Sequence, residues 1–217
     1  MRQALAIILT FLAFQTLGQN IRPEIKKLAH KIEKYNELES EHVGHAGVTT
    51  DQYRNFKKLR DKATYDELLQ LLKYKNSVVK GYSSWSLADK KYPDLVDIFA
   101  EFLRTGESVI TQHGCIVSEG DLASEFYNRV FYQHFHNGLS VEDSLFFQSQ
   151  IQQLDSVVLY SDKDSYLLSL ALLNNNGNPK NYERIRYLAF KKKNTAAIQA
   201  LAIYEKNQDI EDFKNLK

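Results

Sequence analysis

Apolar residues recur at intervals of three and four positions along most of the chain, which is the spacing of one face of an α-helix. The clearest stripe lies in residues 23–40, and Pro23 suits a first helical turn because its missing N–H has no helical partner there. The stripe consists of Ile25, Leu28, Ala29, Ile32, Tyr35 and Leu38. Residues 41–48 contain two glycines and predict a loop.

Residues that cap helices mark where the following helices begin. Thr64 with Glu67 makes a capping-box pattern, and Thr50, Asn76 and Ser140 are predicted N-caps. Further helices are predicted over residues 93–106, 121–135, 165–173, 179–192 and 194–206, and a short tail over residues 210–216 closes the chain.

Two places depart from the helical pattern. Residues 108–120 are the least helical stretch, and their Val109, Ile110, Ile116 and Val117 predict a short strand or an irregular buried segment. Gly81 lies inside a predicted helix, where glycine is destabilising unless a neighbouring helix packs closely against it.

The N-terminus has the three-part layout of a secretory signal peptide. A positive start at Arg2 precedes an apolar run over residues 4–14, and small residues at Thr16 and Gly18 follow. An amphipathic helix is disfavoured because the run has no polar face, and a permanent anchor needs about 20 apolar residues. We therefore expect cleavage after Gly18 and an exported, soluble protein, periplasmic or extracellular, with residues 19–217 as one helical domain and no later membrane span.

Composition narrows the possible chemistry. The chain has 217 residues with 28 Lys and Arg against 27 Asp and Glu, so nothing draws it as a whole to nucleic acid. The single cysteine, Cys115, excludes an intramolecular disulfide and a multi-cysteine zinc site. No phosphate loop or nucleophile elbow is present, and no cofactor is expected.

Two helix pairs repeat each other at a shift of 118 positions. The turn and helix start at Asn76-Ser77-Val78-Val79 align with Asn194-Thr195-Ala196-Ala197, and the apolar helices before them align as well. Residues 66–91 resemble a HEAT repeat, with a leucine-rich first helix, a turn at Lys75-Asn76 and a second helix beginning Val78-Val79-Lys80. The shift corresponds to three units of about 39 residues, close to the length of the HEAT unit.

This resemblance implies a fold and a type of function. The chain is similar to HEAT-like helical-repeat proteins and looks like small exported helical proteins of Bacteroidota-type bacteria. The resemblance covers roughly a third of the chain, implies a curved stack that presents a surface to a partner, and carries over no catalytic residue. We expect an all-α fold of about ten helices, arranged as a short HEAT-like α-solenoid.

Histidine and carboxylate residues cluster at one predicted loop. His42 and His45 lie close to Glu39 and Glu41, and imidazole with carboxylate suits zinc or copper. The spacing differs from the one-turn spacing of a helical zinc site, so a solvated polar loop is the simpler interpretation.

A second candidate joins His113 to the only thiol. His113 lies two positions before Cys115, but a Cys/His nucleophile needs hydrogen-bond contact and a group that orients the base. Because Ile116 and Val117 follow and cysteine is often buried, we expect Cys115 in the core.

Aromatic residues supply the candidate binding surface. Phe131, Tyr132, Phe135 and Phe146 lie close together in sequence, and exposed aromatic side chains are common at interfaces. The sequence therefore favours a binding or scaffold module for an unknown protein partner, with no catalysis. The alternative is a metal-binding protein or hydrolase-type enzyme that uses His42/His45 or His113/Cys115.

Overall fold

The computed structural model describes residues 21–135, 138–161, 163 and 165–214. Within these ranges the chain forms eleven α-helices, a three-stranded sheet and one 3₁₀ turn, Pro179–Asn181. The helices are α1 (Pro23–Tyr35), α2 (Asp51–Lys62), α3 (Tyr65–Leu71), α4 (Ser77–Asp89), α5 (Leu95–Thr105), α6 (Leu122–His134), α7 (Val141–Tyr160), α8 (Tyr166–Asn174), α9 (Tyr182–Phe190), α10 (Thr195–Ala202) and α11 (Asn207–Lys214). The strands are β1 (Leu38–Val43), β2 (Ser108–Gly114) and β3 (Ile116–Asp121).

The first helix is shorter than the sequence predicts. It ends at Tyr35, because Asn36 adopts a left-handed conformation with φ 60° and donates its N–H to the carbonyl of Ile32. Asparagine tolerates this conformation better than most residues. The expected helix over 36–40 is therefore wrong, and Leu38, expected on the helical stripe, is a fully buried strand residue.

The sheet corrects the all-α expectation, which holds for most of the described chain. Strand β2 lies in the middle, parallel to β1 and antiparallel to β3. Gly114, with φ 57°, and Cys115 form the two-residue turn between His113 and Ile116. The predicted loop over 41–48 begins inside β1, which extends to Val43.

The predicted caps are confirmed wherever their hydrogen bonds are described. Thr64 and Glu67 form the complete capping box, and the Asn76 side chain accepts from the N–H of Val79 at 3.0 Å. The side chains of Thr50 and Ser140 also accept from backbone N–H groups three residues later. Each cap satisfies a donor that the first turn of a helix leaves without a partner.

Helix α4 lies at the centre of the N-terminal half and packs against α1, α2, α3, α5, α6 and strands β1 and β2. Gly81 allows the closest approach, since a Cβ there would lie 3.0 Å from Cδ1 of Leu38. The closest neighbour is this strand residue, and Leu122 of helix α6 lies at 3.4 Å, so Gly81 is packed by a strand as well as by a helix. The Tyr82 hydroxyl bonds the backbone of Glu39 and holds β1 on α4.

The C-terminal half consists of helices packed mainly in consecutive pairs. Helix α7 packs on α8, α9 packs on α10, and α8 also contacts α10. The signal peptide predicted over residues 1–18 lies outside the described residues. In the part of the chain that the structure describes, none of the helices combines the length and apolarity needed to cross a bilayer.

Candidate functional site

A groove opens where the sheet, α2, α4 and α6 meet. It consists of two adjoining cavities of about 570 and 450 Å³, which share part of their lining. The shared residues are Glu41, Tyr53, Arg129 and Tyr132. The larger cavity, here called the ion-pair cavity, is completed by Arg60, Asp61, Asp89, Lys90 and Gln133. The smaller, here called the histidine cavity, is completed by Ser40, Trp85, His113, Glu125 and Asn128.

The carboxylate of Asp89 is the central hydrogen-bond acceptor of the ion-pair cavity. It is 7% exposed and accepts from Nε and Nη2 of Arg129 at 2.7 and 2.5 Å. Gln133 donates to it at 2.7 Å and Arg60 at 3.3 Å. A buried carboxylate needs such charge-assisted bonds to offset its loss of hydration. The network therefore also holds the three donor side chains in place.

Arg129 joins the two cavities. Its guanidinium lies 5.2 Å from the ring of Trp85 and 5.5 Å from that of Phe56, which are cation–π distances. Burial lowers the pKa of Arg129, but the hydrogen bonds and charge of Asp89 outweigh burial and raise it overall. The side chain is thus permanently charged and held on an aromatic floor formed by Phe56, Tyr82 and Trp85.

His113 and Glu125 form the polar pair of the histidine cavity. Nε2 of His113 lies 3.0 Å from Oε2 of Glu125, whose side chain is 9% exposed, while the imidazole is about half exposed. The hydrogen bond to Glu125 raises the pKa of His113, burial opposes the rise, and the carboxylate charge adds to it. The imidazole is therefore oriented by a largely buried carboxylate. Trp85 Nε1 donates to the backbone carbonyl of the same Glu125 at 3.2 Å.

Three of the four predicted surface aromatics form a ridge beside the groove. Tyr132, 69% exposed, lines both cavities, and Phe135 is 62% exposed. Phe131 lies between them, with ring centroids 6.0 Å from Tyr132 and 4.8 Å from Phe135. Phe146 is partly buried against the core and contacts Phe147 at 5.3 Å.

The side chains of the predicted metal loop have other partners. Nδ1 of His42 lies 3.2 Å from the carbonyl of Gly47, and His45 is exposed in the turn before it. Glu39 is fully buried and accepts from the Thr50 hydroxyl, while Glu41 pairs with Lys57 at 3.5 Å. Among the described residues, no three His, Cys, Asp or Glu side chains are grouped so that they would hold a metal ion.

Cys115 is exposed, so the expectation of a core position is wrong. The β2–β3 turn carries it to the end of the hairpin, and the neighbouring Ile116 and Val117 are 69% and 56% exposed. The hydrogen-bond partner of the His113 imidazole is the carboxylate of Glu125 on α6 and not the Cys115 thiol. His113 thus stays a candidate functional residue through its contact with Glu125, without a role for Cys115.

Most residues of the groove are not marked by any motif in the sequence, although one spacing includes several of them. Glu125, Arg129 and Gln133 lie four positions apart on α6, and Trp85 and Asp89 have the same spacing on α4. That spacing places each set on one helical face. A polar stripe on a helix normally faces solvent, so the spacing alone did not indicate that these two stripes face each other.

Comparison of the chain with protein-family models, with curated proteins and with solved structures finds no match. The similarity to HEAT repeats therefore stays a prediction from the sequence, and the function proposed below rests on the geometry of the groove.

Proposed function

We propose that this protein is an exported binding module without catalytic activity, and that its groove receives a segment of a partner protein. The observation that carries the proposal is the groove itself. Its two cavities, of about 570 and 450 Å³, meet at Arg129 and are bordered by the exposed ring of Tyr132. Cavities of this size suit a few side chains of a bound segment.

The residue types at the groove support a protein partner. Tyrosine, tryptophan and arginine carry much of the binding energy at protein interfaces, because they combine large apolar area with directed hydrogen bonds. Tyr53, Trp85, Arg129 and Tyr132 provide these types within one groove. The contacts of Arg129 with Asp89 and Trp85 hold it in position, which reduces the entropy lost on binding.

The proposal includes a HEAT-like arrangement of the helix pairs. Local geometry supports it, because Asn76 and Asn194 begin the second helix of each repeated pair with nearly equal backbone angles, −82° and 121° against −76° and 120°. Both side chains accept from the N–H three residues later, at 3.0 and 2.9 Å. Export is proposed from the pattern of residues 1–18 alone.

Site-specific photocrosslinking tests the binding role. A photoreactive phenylalanine analogue replaces Tyr132 at the groove or, as a matched control, Tyr166 on α8, which is 64% exposed. We expect protein adducts from position 132 in cells that express the chain, and few from position 166. Equal adduct yields at the two positions, or none at position 132, contradict the proposal.

One observation favours the alternative of a hydrolase-type enzyme. His113 is oriented by the carboxylate of Glu125 at 3.0 Å inside a cavity, which is how a general base is held. Turnover of ester, amide or phosphoester substrates that His113→Asn abolishes and Cys115→Ser leaves unchanged would support the enzyme. The binding proposal expects no turnover that depends on His113.

A further inference from the structure

We propose that the ion-pair cavity binds a side-chain carboxylate, so that the partner segment is acidic. This inference rests on the proposed function, since it specifies the chemistry of the segment in the groove. It follows from an imbalance between the charged groups inside the cavity and those at its mouth.

The interior of the cavity has more positive than negative charge. The guanidiniums of Arg60 and Arg129 both contact Asp89, the one carboxylate of this cavity with a buried side chain among the described residues. Their side chains are 28% and 19% exposed. Lys90 adds a third cation, and its Nζ donates to the backbone carbonyl of Arg60 at 3.0 Å.

The other two carboxylates of the cavity lie nearer to solvent. Asp61 has a 61% exposed side chain and contacts Nε of Arg60 at 2.9 Å. Glu41 has a 46% exposed side chain and pairs with Lys57, which does not line this cavity. Exposed ion pairs are screened by water and salt, so they offset the interior cations only weakly.

The two guanidiniums have donor capacity beyond the bonds to Asp89. Nε and Nη2 of Arg129 bond Asp89, and a guanidinium has more N–H donors than one carboxylate accepts. Nε of Arg60 contacts the exposed Asp61, a bond that an incoming carboxylate can replace with little loss. Arginine side chains held in this way recognise carboxylates through paired N–H···O bonds.

The single tryptophan of the chain reports directly on occupancy. Trp85 lines the histidine cavity beside Arg129, so its fluorescence responds to a ligand in the groove. The probes are hexapeptides with blocked ends, made of glutamate, of lysine or of alternating glycine and serine. An unblocked glycine–serine peptide adds a terminal carboxylate, and a thymidine hexanucleotide adds phosphates.

We expect saturable binding of the glutamate peptide alone, weakened by raising the salt concentration. Arg60→Gln should weaken it about tenfold, the usual scale for removing one charge-assisted contact, and Lys90→Gln should weaken it less. Arg54→Gln is the matched control, because Arg54 lies on the same helix, pairs with Asp51 at 3.0 Å and is outside the groove. Unfolding curves of all three variants check that they fold alike.

Other outcomes distinguish a failure of the acidic-segment inference from a failure of the proposed binding function. Binding of the lysine or neutral blocked peptide, tighter binding of the nucleotide, or equal effects of Arg54→Gln and Arg60→Gln overturns the acidic segment. Binding of the unblocked neutral peptide alone reassigns the site to a chain terminus and overturns the side-chain assignment. If no peptide changes the tryptophan fluorescence but position 132 crosslinks strongly, this inference is refuted and the proposed function stands. If the crosslinking itself fails, the proposed function is refuted.

Discussion

The imidazole of His113 on strand β2 lies 3.0 Å from the carboxylate of Glu125 on helix α6, and this contact joins the sheet to the helical wall of the groove. Strand β3 also approaches this carboxylate closely. A Cβ on Gly120 of β3 would lie 3.4 Å from Oε1 of Glu125, so the glycine lets the carboxyl group lie close to the hairpin. The charge state of His113 is consequently coupled to folding.

Glu125→Gln should lower the pKa of His113 from its raised position toward the ordinary value, because the hydrogen bond to the carboxylate is the largest cause of the rise. Proton NMR of the imidazole across a pH titration measures this. Glu119→Gln, an exposed carboxylate on β3, is the control and should leave the titration unchanged.

The same contact predicts a pH dependence of stability. A histidine whose pKa is raised by folding stabilises the protein fully below its unfolded pKa, and this contribution disappears as the pH rises through the folded value. The free energies of unfolding of the wild type and of His113→Asn, measured in urea, should therefore differ more at pH 5 than at pH 8.5. A difference that is larger at pH 8.5 would contradict the ion pair.

Gly81→Ala should destabilise the protein by about 1–2 kcal/mol, as overpacking does in a closed core. The new methyl would lie 3.0 and 3.1 Å from the two Cδ atoms of the fully buried Leu38, and this contact outweighs the helical preference for alanine. Chemical unfolding of the single and double variants with Leu38→Ala measures the coupling. The double variant should be less destabilised than the summed single variants, and strict additivity would argue against the contact.

Glu67→Gln should destabilise the protein near neutral pH and have a smaller effect in acid. The hydrogen bond from Arg22 is the main cause that lowers the pKa of Glu67 to about 2, from an ordinary value of 4.5. A lowered acid pKa contributes stability above the unfolded value, and that contribution is lost as the pH falls from about 4.5 to about 2. Unfolding curves over this pH range test it. Glu24→Gln, which removes an exposed contact of Arg22 at 3.1 Å, should have a smaller effect.

Asn76→Ala and Asn194→Ala should each destabilise the protein by about 1 kcal/mol, the usual effect of losing an N-cap. The side-chain oxygens accept from Val79 and Ala197 in matching geometry, so similar losses are expected. Denaturant unfolding measures both. The aspartate variants keep the capping acceptor and serve as controls, and Asn76→Asp also loses the 2.7 Å bond from Nδ2 to Oδ1 of Asn36. The cap role is refuted if neither aspartate variant is more stable than the matching alanine variant.

Local signals in the sequence correctly predicted most of the helical framework. The caps at Thr50, Thr64, Asn76 and Ser140 act over three residues, so their hydrogen bonds depend on the neighbouring backbone and hardly on the rest of the fold. The apolar stripes identify buried helical faces for the same reason, since a period of about 3.6 residues is a property of the helix alone.

Strand β1 and the groove were decided by tertiary structure. Leu38 fits the end of a helical stripe as well as a strand, and its pairing with Thr111 on β2 selects the strand. Asp89 and Arg129 are 40 residues apart in sequence, and a charged residue on a polar helical face normally faces solvent. Only the packing of α4 against α6 turns these two faces toward each other. The sequence thus determined where helices begin and which faces they bury, whereas long-range contacts determined which polar side chains share one cavity.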